Sequence, residues 1–308
     1  MEENSLEIPK HFRAGYVALV GHPNVGKSTL MNALLGTKLA IVSPKPQTTR
    51  HKILGVLTGD NYQMVFLDTP GLIQPQYELQ AVMMKTAEAA IADADVVVFM
   101  IEASEKPAER DLIILEKLKD FRKPIILAVN KIDLVHKDRL LPLIEAYAQR
   151  FDFKEIIPIS ALELDGLDEL KRAIRDLLPE HPPYYPEDYL TEHSERFLVA
   201  EIIREKIFYL YGEEIPYSTT VEIVEFKEKT GRKDYIRAVI YVEKSTQRAI
   251  LIGKKGLALK RVGSLARGEI EELLGRPVYL DLWVKVREKW RKDPEMVRRF
   301  GYSTKLPK

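Results

Sequence analysis

Cysteine is absent from this chain of 308 residues. That excludes disulfide bonds, cysteine-ligated zinc, iron–sulfur clusters and thiol catalysis. No apolar run approaches the ~18 residues that a membrane-spanning helix needs, so no span is expected. The opening stretch MEENSLEIPKHF is acidic and lacks the apolar core of a secretory signal. A cytosolic protein fits these absences best. A large charge imbalance is also missing, the formal net charge being +1. The charge is unevenly spread, however. Residues 244–267 hold seven Lys or Arg and no Asp or Glu, and residues 285–308 hold nine basic residues against three acidic ones. Local positive fields of this kind attract polyanions whatever the net charge. The length favours two domains, each able to bury its own core.

Short apolar runs alternate with helical patterns up to about residue 178. YVALVG (16–21), MVFLD (64–68), VVVFMI (96–101), IILAVN (125–130) and IIPIS (156–160) are nearly continuous in apolar character. That pattern suits a parallel sheet covered on both faces. KILGVLTGD reads as an extra edge strand, and helices are expected over 27–35, 79–91, 109–119, 139–151 and 167–177. The result is an α/β, three-layer domain over 15–178, after an N-terminal extension over 1–14. Pro179, Pro182, Pro183 and Pro186 make 179–192 an extended, stiffened linker. Beyond it come a helix over 193–211, two alternating strands joined near KTGRK, two helical pieces around GKKG, and the strand VYLDLWVKV. This α-β-β-α-α-β unit is assigned 193–292, with a tail over 293–308.

GHPNVGKS, Gly21 to Ser28, fits G-x-x-x-x-G-K-S and lies between an apolar strand and a helix, the context this motif requires. Gly21, His22, Pro23, Asn24, Val25, Gly26, Lys27, Ser28 and Thr29 form a phosphate-binding loop whose N–H groups and helix dipole favour anions. Lys27 reaches the β- and γ-phosphates, and Ser28 ligates Mg²⁺. NKID ends the strand at Asn130. The Asp133 carboxylate can accept two N–H bonds from guanine, a pair that adenine does not offer. Asn130 holds the base edge and the neighbouring loop, and Lys131 stacks its stem on the ring. Ser160, Ala161 and Leu162 complete the base pocket. DTPG, Asp68, Thr69, Pro70 and Gly71, ends another strand. Asp68 is placed to hold Mg²⁺ through water, and the Gly71 N–H to sense a γ-phosphate. Thr48 and Thr49 are both candidates for a second Mg²⁺ ligand. Leu72 stands where many GTPases carry glutamine. Hydrolysis is therefore expected to rely on backbone groups, water and a cation, and to be slow without a partner. Gln74 and Gln76 are alternatives for contact with the water. His22 reads as a loop surface residue rather than a base.

These motifs together resemble the Era GTPases of the translation-factor-related class. The resemblance runs from YVALVGHPNVGKST through SPKPQTTRHKILG, FLDTPG, NKIDL and SAL to AILIGKKG and the ending LWVKVREKWRKDPEMVRRFGY. It implies a P-loop GTPase domain followed by a C-terminal α+β type II KH domain. It also implies binding near the 3′ end of small-subunit ribosomal RNA, and a role in assembling the small ribosomal subunit. By resemblance Thr49 is preferred over Thr48, Lys27, Thr49, Asp68 and Gly71 carry the hydrolytic step, and Asn24 is a candidate ligand for K⁺. A monomer is expected, with peripheral contact at the inner face of the cell membrane.

In the KH reading, Ile252, Gly253, Lys254, Lys255 and Gly256 join two helices and grip the backbone of about four unpaired nucleotides. Lys260 and Arg261 extend the charge. Ile252 and Leu257 suit either the groove or the core. Trp283 lies in an alternating strand and is expected in the core, whereas Trp290, flanked by Lys289 and Arg291, is a candidate stacking platform. Arg298, Arg299 and Lys305 extend the basic surface. The competing reading is a metabolic or membrane-peripheral regulatory GTPase with an accessory domain that does not bind RNA. The charge pattern of 244–267 opposes it.

Overall fold

The computed structural model describes residues 11–104, 106–229 and 231–302. Residues 1–10 of the expected extension and Lys305 lie outside the described residues. The chain forms two compact units. One comprises the chain up to Ala40, His51–Ile73 and Met84–Glu192. The other comprises Ile41–Arg50, Gln74–Met83 and the chain from His193 onward.

The first unit is built on a six-stranded sheet of order β2-β3-β1-β4-β5-β6. Its strands are β1 (Arg13–Gly21), β2 (Ile53–Gly59), β3 (Tyr62–Asp68), β4 (Val96–Glu102), β5 (Ile125–Asn130) and β6 (Glu155–Pro158). Only β2 runs antiparallel to its neighbour. The helices are α1 (Lys27–Leu35), α2 (Glu78–Asp93), α3 (Glu109–Leu118), α4 (Leu140–Ala148) and α5 (Leu167–Leu177). Leu19, Val98 and Leu127 are fully buried at the sheet centre, as strands covered on both faces demand. Because β1 lies between β3 and β4, the loop after β1 opens where the strand order reverses, which is where open α/β sheets bind ligands.

The proline-rich segment is extended, as expected, but it is not a loose connector. The buried Gln63 side chain accepts from the N–H groups of Tyr184 (2.7 Å) and Tyr185 (3.0 Å) and donates to the Tyr185 carbonyl (2.9 Å). Val56 N–H donates to the Leu190 carbonyl at 2.8 Å, which covers part of the edge of β2. The stacked rings of Tyr185 and Tyr189 pack on Leu54, Val56 and Leu67. Prolines remove donors, but the tyrosines supply the apolar surface that ties this strap down.

The second unit contains α6 (Glu195–Leu210), α7 (Ile215–Ser218), β7 (Thr220–Lys227), β8 (Asp234–Val242), α8 (Ser245–Ile252), α9 (Leu257–Leu274), β9 (Val278–Val286) and α10 (Pro294–Arg299). The expected α-β-β-α-α-β order holds. The sheet runs β7-β8-β9, with β7 antiparallel and β9 parallel to β8. Ile203, Ile207, Ile236, Ile240, Val262 and Ile270 form its core. The helices α7 and α10 are too short for an apolar period to reveal. Local chemistry makes α10: the Asp293 carboxylate caps the N–H groups of Glu295 and Met296, with Pro294 in the first turn.

Segment 41–50 is anchored within this second unit. The buried Arg50 guanidinium donates to the carbonyls of Thr219 (2.7 Å), Pro216 (2.9 Å) and Tyr217 (3.1 Å). The Lys45 ammonium donates to the carbonyls of Phe208 and Tyr211. Gln80 joins the segment by donating to the Gln47 side chain at 3.2 Å.

Candidate nucleotide site and nucleic-acid interface

The phosphate loop curls between the end of β1 and the start of α1. Its turn depends on Gly26, whose φ is +103° and where an added Cβ would lie 2.2 Å from the Asn130 amide nitrogen. No residue with a side chain fits that position without displacing Asn130. Lys27 is only 5% exposed and donates to the carbonyls of Gly21 (3.2 Å) and His22 (3.1 Å). Burial pulls its pKa down to about 8, against the partly compensating attraction of Asp68. A cation held this way, with carbonyl dipoles for partners, is a receptor for an anion. Burial also lowers the pKa of His22, whose Nδ1 lies 3.2 Å from the Pro23 carbonyl, and so favours the neutral ring.

Ser28 Oγ donates to Asp68 Oδ2 at 2.6 Å, and Asp68 is fully buried. Two hard oxygen ligands side by side suit Mg²⁺, which binds through one or two protein oxygens together with phosphate and water. Thr69 Oγ1 donates to the Leu19 carbonyl at 2.8 Å, and Leu72 N–H donates to the Gly21 carbonyl at 3.1 Å. Gly71 packs so closely that a Cβ would lie 2.5 Å from the Pro23 nitrogen. The DTPG segment is thus clamped to the phosphate loop through Gly71 and Leu72. Leu72 is buried, in keeping with its apolar character.

Asn130 unites three loops. Its amide donates to the Val25 carbonyl at 2.7 Å, and its Oδ1 accepts from Ala161 N–H at 3.0 Å. Lys131 adopts a left-handed φ of +65° and forms an ion pair with Glu102 at 3.1 Å. Asp133 accepts from Ser160 Oγ at 2.6 Å and presents its carboxylate at the surface. Leu162, at 72% exposure, leaves the neighbouring rim open. Nothing in the sequence singled out Glu102, because its role depends on β4 and β5 lying side by side.

Of the two threonines, Thr48 turns its hydroxyl onto the Lys45 carbonyl at 2.7 Å within its own loop and is buried. Thr49 is half-buried. Both belong to the second compact unit.

In that unit α8 ends at Ile252 and α9 begins at Leu257. Gly253 has φ +70°, and a Cβ there would lie 2.6 Å from Ala258 Cβ, so glycine is needed for the close turn. Lys254 and Lys255 are exposed between the helices. Beside them opens a cleft of about 380 Å³ lined by Gly256, Lys260, Gly263, Arg267, Tyr279 and Lys233, among others.

Two family models match the chain, one described as a 50S ribosome-binding GTPase over residues 16–131 and one as a KH domain over 214–291. The GTPase Era of Geotalea uraniireducens (strain Rf4) is 48% identical over 294 residues, covering 96% of this chain and 99% of that one. The chain belongs to the Era GTPase family. Solved Era structures agree. A variant of Aquifex aeolicus Era bound to GDP·AlF4⁻ superposes with TM-score 0.92 at 46% identity, covering 95% of this chain and 100% of that one. An Era complex with MgGDPNP and nucleotides 1506–1542 of 16S ribosomal RNA has TM-score 0.93 at 46% identity, with the same coverage. This Era GTPase therefore has an α/β P-loop GTPase domain and an α+β KH domain.

Two expectations for the RNA surface of this Era chain need correction, both for tryptophans. Trp290 is 0% exposed and donates its indole N–H to the Ser218 carbonyl at 2.8 Å, with Phe300 and Tyr302 against its ring. It is core, not a stacking platform. Trp283, expected in the core, is 55% exposed, because its alternating strand turns it to the outer face of the sheet. Ile252 packs against the hydrophobic core, whereas Leu257 is exposed. Arg261 is exposed but is not among the residues lining the cleft, unlike Lys260 one position earlier on the helix.

Proposed function

We propose that this GTPase is a nucleotide-controlled switch that binds single-stranded RNA near the 3′ end of small-subunit ribosomal RNA and assists assembly of the small ribosomal subunit. The observation that carries the reading is the presence in one chain of two phosphate receptors of different depth: the buried Lys27 loop and the exposed GKKG turn beside a basic cleft. GTP enters the first, with Asp133 and Asn130 selecting guanine and Lys27 neutralising phosphate charge. Ser28, Asp68 and, from the loop of Thr48, Thr49 would hold Mg²⁺, which when bound supplies charge neutralisation between the β- and γ-phosphates. Asn24 is the candidate ligand for K⁺ beside the same phosphates. Gly71 senses the γ-phosphate, so that GTP orders 44–52 and 68–76 and hydrolysis relaxes them.

The RNA backbone enters the GKKG cleft through Gly253, Lys254, Lys255, Gly256 and Lys260. No part of this cycle cuts or modifies RNA. The protein works in the cytoplasm, and any contact with the inner face of the membrane would be peripheral, since no helix among the described residues is long and apolar enough to cross one. The test is RNA crosslinking in GTP and in GDP, with the crosslinked residues and nucleotides mapped. Crosslinks at 253–260 that change with nucleotide support the reading. RNA contacts confined to other surfaces, or identical in both states, contradict it.

A further inference from the structure

The helices α6, α8 and α9 pack on one face of the sheet β7-β8-β9, and alternation along the strands sends a different set of side chains to the other face, where Phe300 at the end of α10 packs on the Tyr241 ring at 4.8 Å. There the parallel register of β8 and β9 sets Tyr235 beside Tyr279, Arg237 beside Asp281, Val239 beside Trp283 and Tyr241 beside Lys285. Tyr279 is 59% exposed and Trp283 55%. Four residues apart on one strand, their Cα atoms are about 13 Å apart.

The rings are held in place. Asp281 Oδ2 accepts from the Tyr235 hydroxyl (2.9 Å), Arg237 Nε (3.1 Å) and Trp283 Nε1 (3.0 Å). The Tyr235 and Tyr279 rings lie 5.9 Å apart and 13° from parallel. One carboxylate therefore satisfies the polar edges and fixes the orientation of two aromatic side chains. The Tyr235 ring is itself covered by Arg237 at 5.4 Å and backs Tyr279, so what remains for a ligand is the exposed faces of Tyr279 and Trp283, rings already ordered, which removes part of the entropic cost of binding.

Charge on this face does not oppose a polyanion. Its three carboxylates are matched in number by Lys227, Arg237 and Lys285: Glu225 pairs with Lys227 and Arg237, Asp281 with Arg237, and Glu222 accepts from the Tyr241 hydroxyl and keeps its charge. Lys285 is exposed and has no ion pair among the described residues. The face is also continuous with the GKKG cleft, because Tyr279 forms part of that cleft's wall together with Lys260 and Arg267. Strand β9 is the lip between the two.

We infer that the outer face of this sheet is a base-stacking platform for single-stranded RNA that leaves the GKKG cleft over β9, with Trp283 and Tyr279, the latter backed by Tyr235, as its stacking rings. The inference rests on the RNA reading proposed above. It adds a second contact region that engages only when the RNA is longer than the cleft can hold.

The full chain provides its own reporter. It has two tryptophans, of which Trp290 is buried, so RNA that stacks on the platform quenches Trp283. Two unstructured RNAs are compared, one of about four nucleotides, which fills the cleft alone, and one of about 12. The longer RNA is expected to quench the emission and the shorter to leave it nearly unchanged. Trp283→Ala should weaken the longer RNA by about 5- to 100-fold and leave the shorter one unaffected. Trp283→Phe should restore much of the loss. Equal affinity of wild type and Trp283→Ala for the longer RNA, without quenching, overturns the platform. If Lys254→Glu with Lys255→Glu still weakens both RNAs, the cleft reading survives that failure. If neither variant changes RNA affinity, the RNA reading itself fails. Protection of Trp283 by a ribosomal protein and not by RNA also overturns the platform. Matching thermal unfolding curves check that the variants are folded.

Discussion

The two glycine loops of this chain, Gly21–Ser28 and Gly253–Gly256, both carry lysine next to glycine at the start of a helix, yet they differ in depth. Lys27 is buried against two backbone carbonyls and has a depressed pKa, whereas Lys254 and Lys255 stand in solvent. The first loop is also closed by Asn130 and by the Gly71 turn, whereas the second lies open between helix ends. A buried cation with few alternatives for partner selects one compact polyphosphate. Exposed cations grip a polymer backbone by charge and leave discrimination to the neighbouring groove.

The strongest test of this contrast is Lys27→Ala. Nucleotide binding or turnover should fall by about 100-fold or more, the loss typical of removing a preorganised charged donor, while a short RNA still binds. Near-normal hydrolysis in a GTPase assay would break the assignment of the first loop. Next in size is Gly26→Ala, which must displace Asn130 from 2.2 Å and strain a φ of +103°. It should largely abolish guanine nucleotide binding. Gly256→Ala, by contrast, meets nothing within 4 Å and should cost about 1–2 kcal/mol in unfolding free energy from its left-handed φ alone. Equal effects from the two substitutions in nucleotide titration and denaturant unfolding would erase the difference between a closed and an open loop.

Replacing Lys254 and Lys255 together by Glu should weaken RNA binding about tenfold or more and flatten its salt dependence, with intrinsic GTP hydrolysis unchanged. Unaltered affinity at physiological salt would defeat the proposed grip. The smallest expected effect is in pH. Burial holds Lys27 near 8 in the free protein, below its ordinary 10.5, and a bound phosphate raises it again. Binding then takes up a proton above pH 8, so affinity should fall by up to about tenfold per pH unit there and stay level below it. Calorimetry in two buffers of different ionisation enthalpy detects the proton uptake. No such break should appear in RNA binding at that pH.

Much of this was legible in the chain. The strand-loop-helix around GHPNVGKS, the apolar strands and the α-β-β-α-α-β order all follow from local signals, because turn residues and apolar periods act over a few positions. The tryptophans show where such reasoning stops. Alternation puts Trp283 on one of two faces but does not say which is covered, and basic neighbours hid the burial of Trp290. The strap over 179–192 was readable as extended, but its ties to Gln63 and Leu54 link residues more than a hundred positions apart. Likewise the anchoring of Arg50 on carbonyls near residue 217 carries no local mark.

The sequence by itself determined the candidate nucleotide residues: a G-x-x-x-x-G-K-S loop with Lys27 and Ser28, Asp68 at the end of one strand and Asp133 just after another, each set by residue type and spacing. Tertiary structure decided how deeply Lys27 is buried, which tryptophan faces solvent, and that Asn130 joins three loops. These depend on which strands and helices become neighbours. Proximity between distant parts of a chain is created by packing the core, and no short window of sequence contains it.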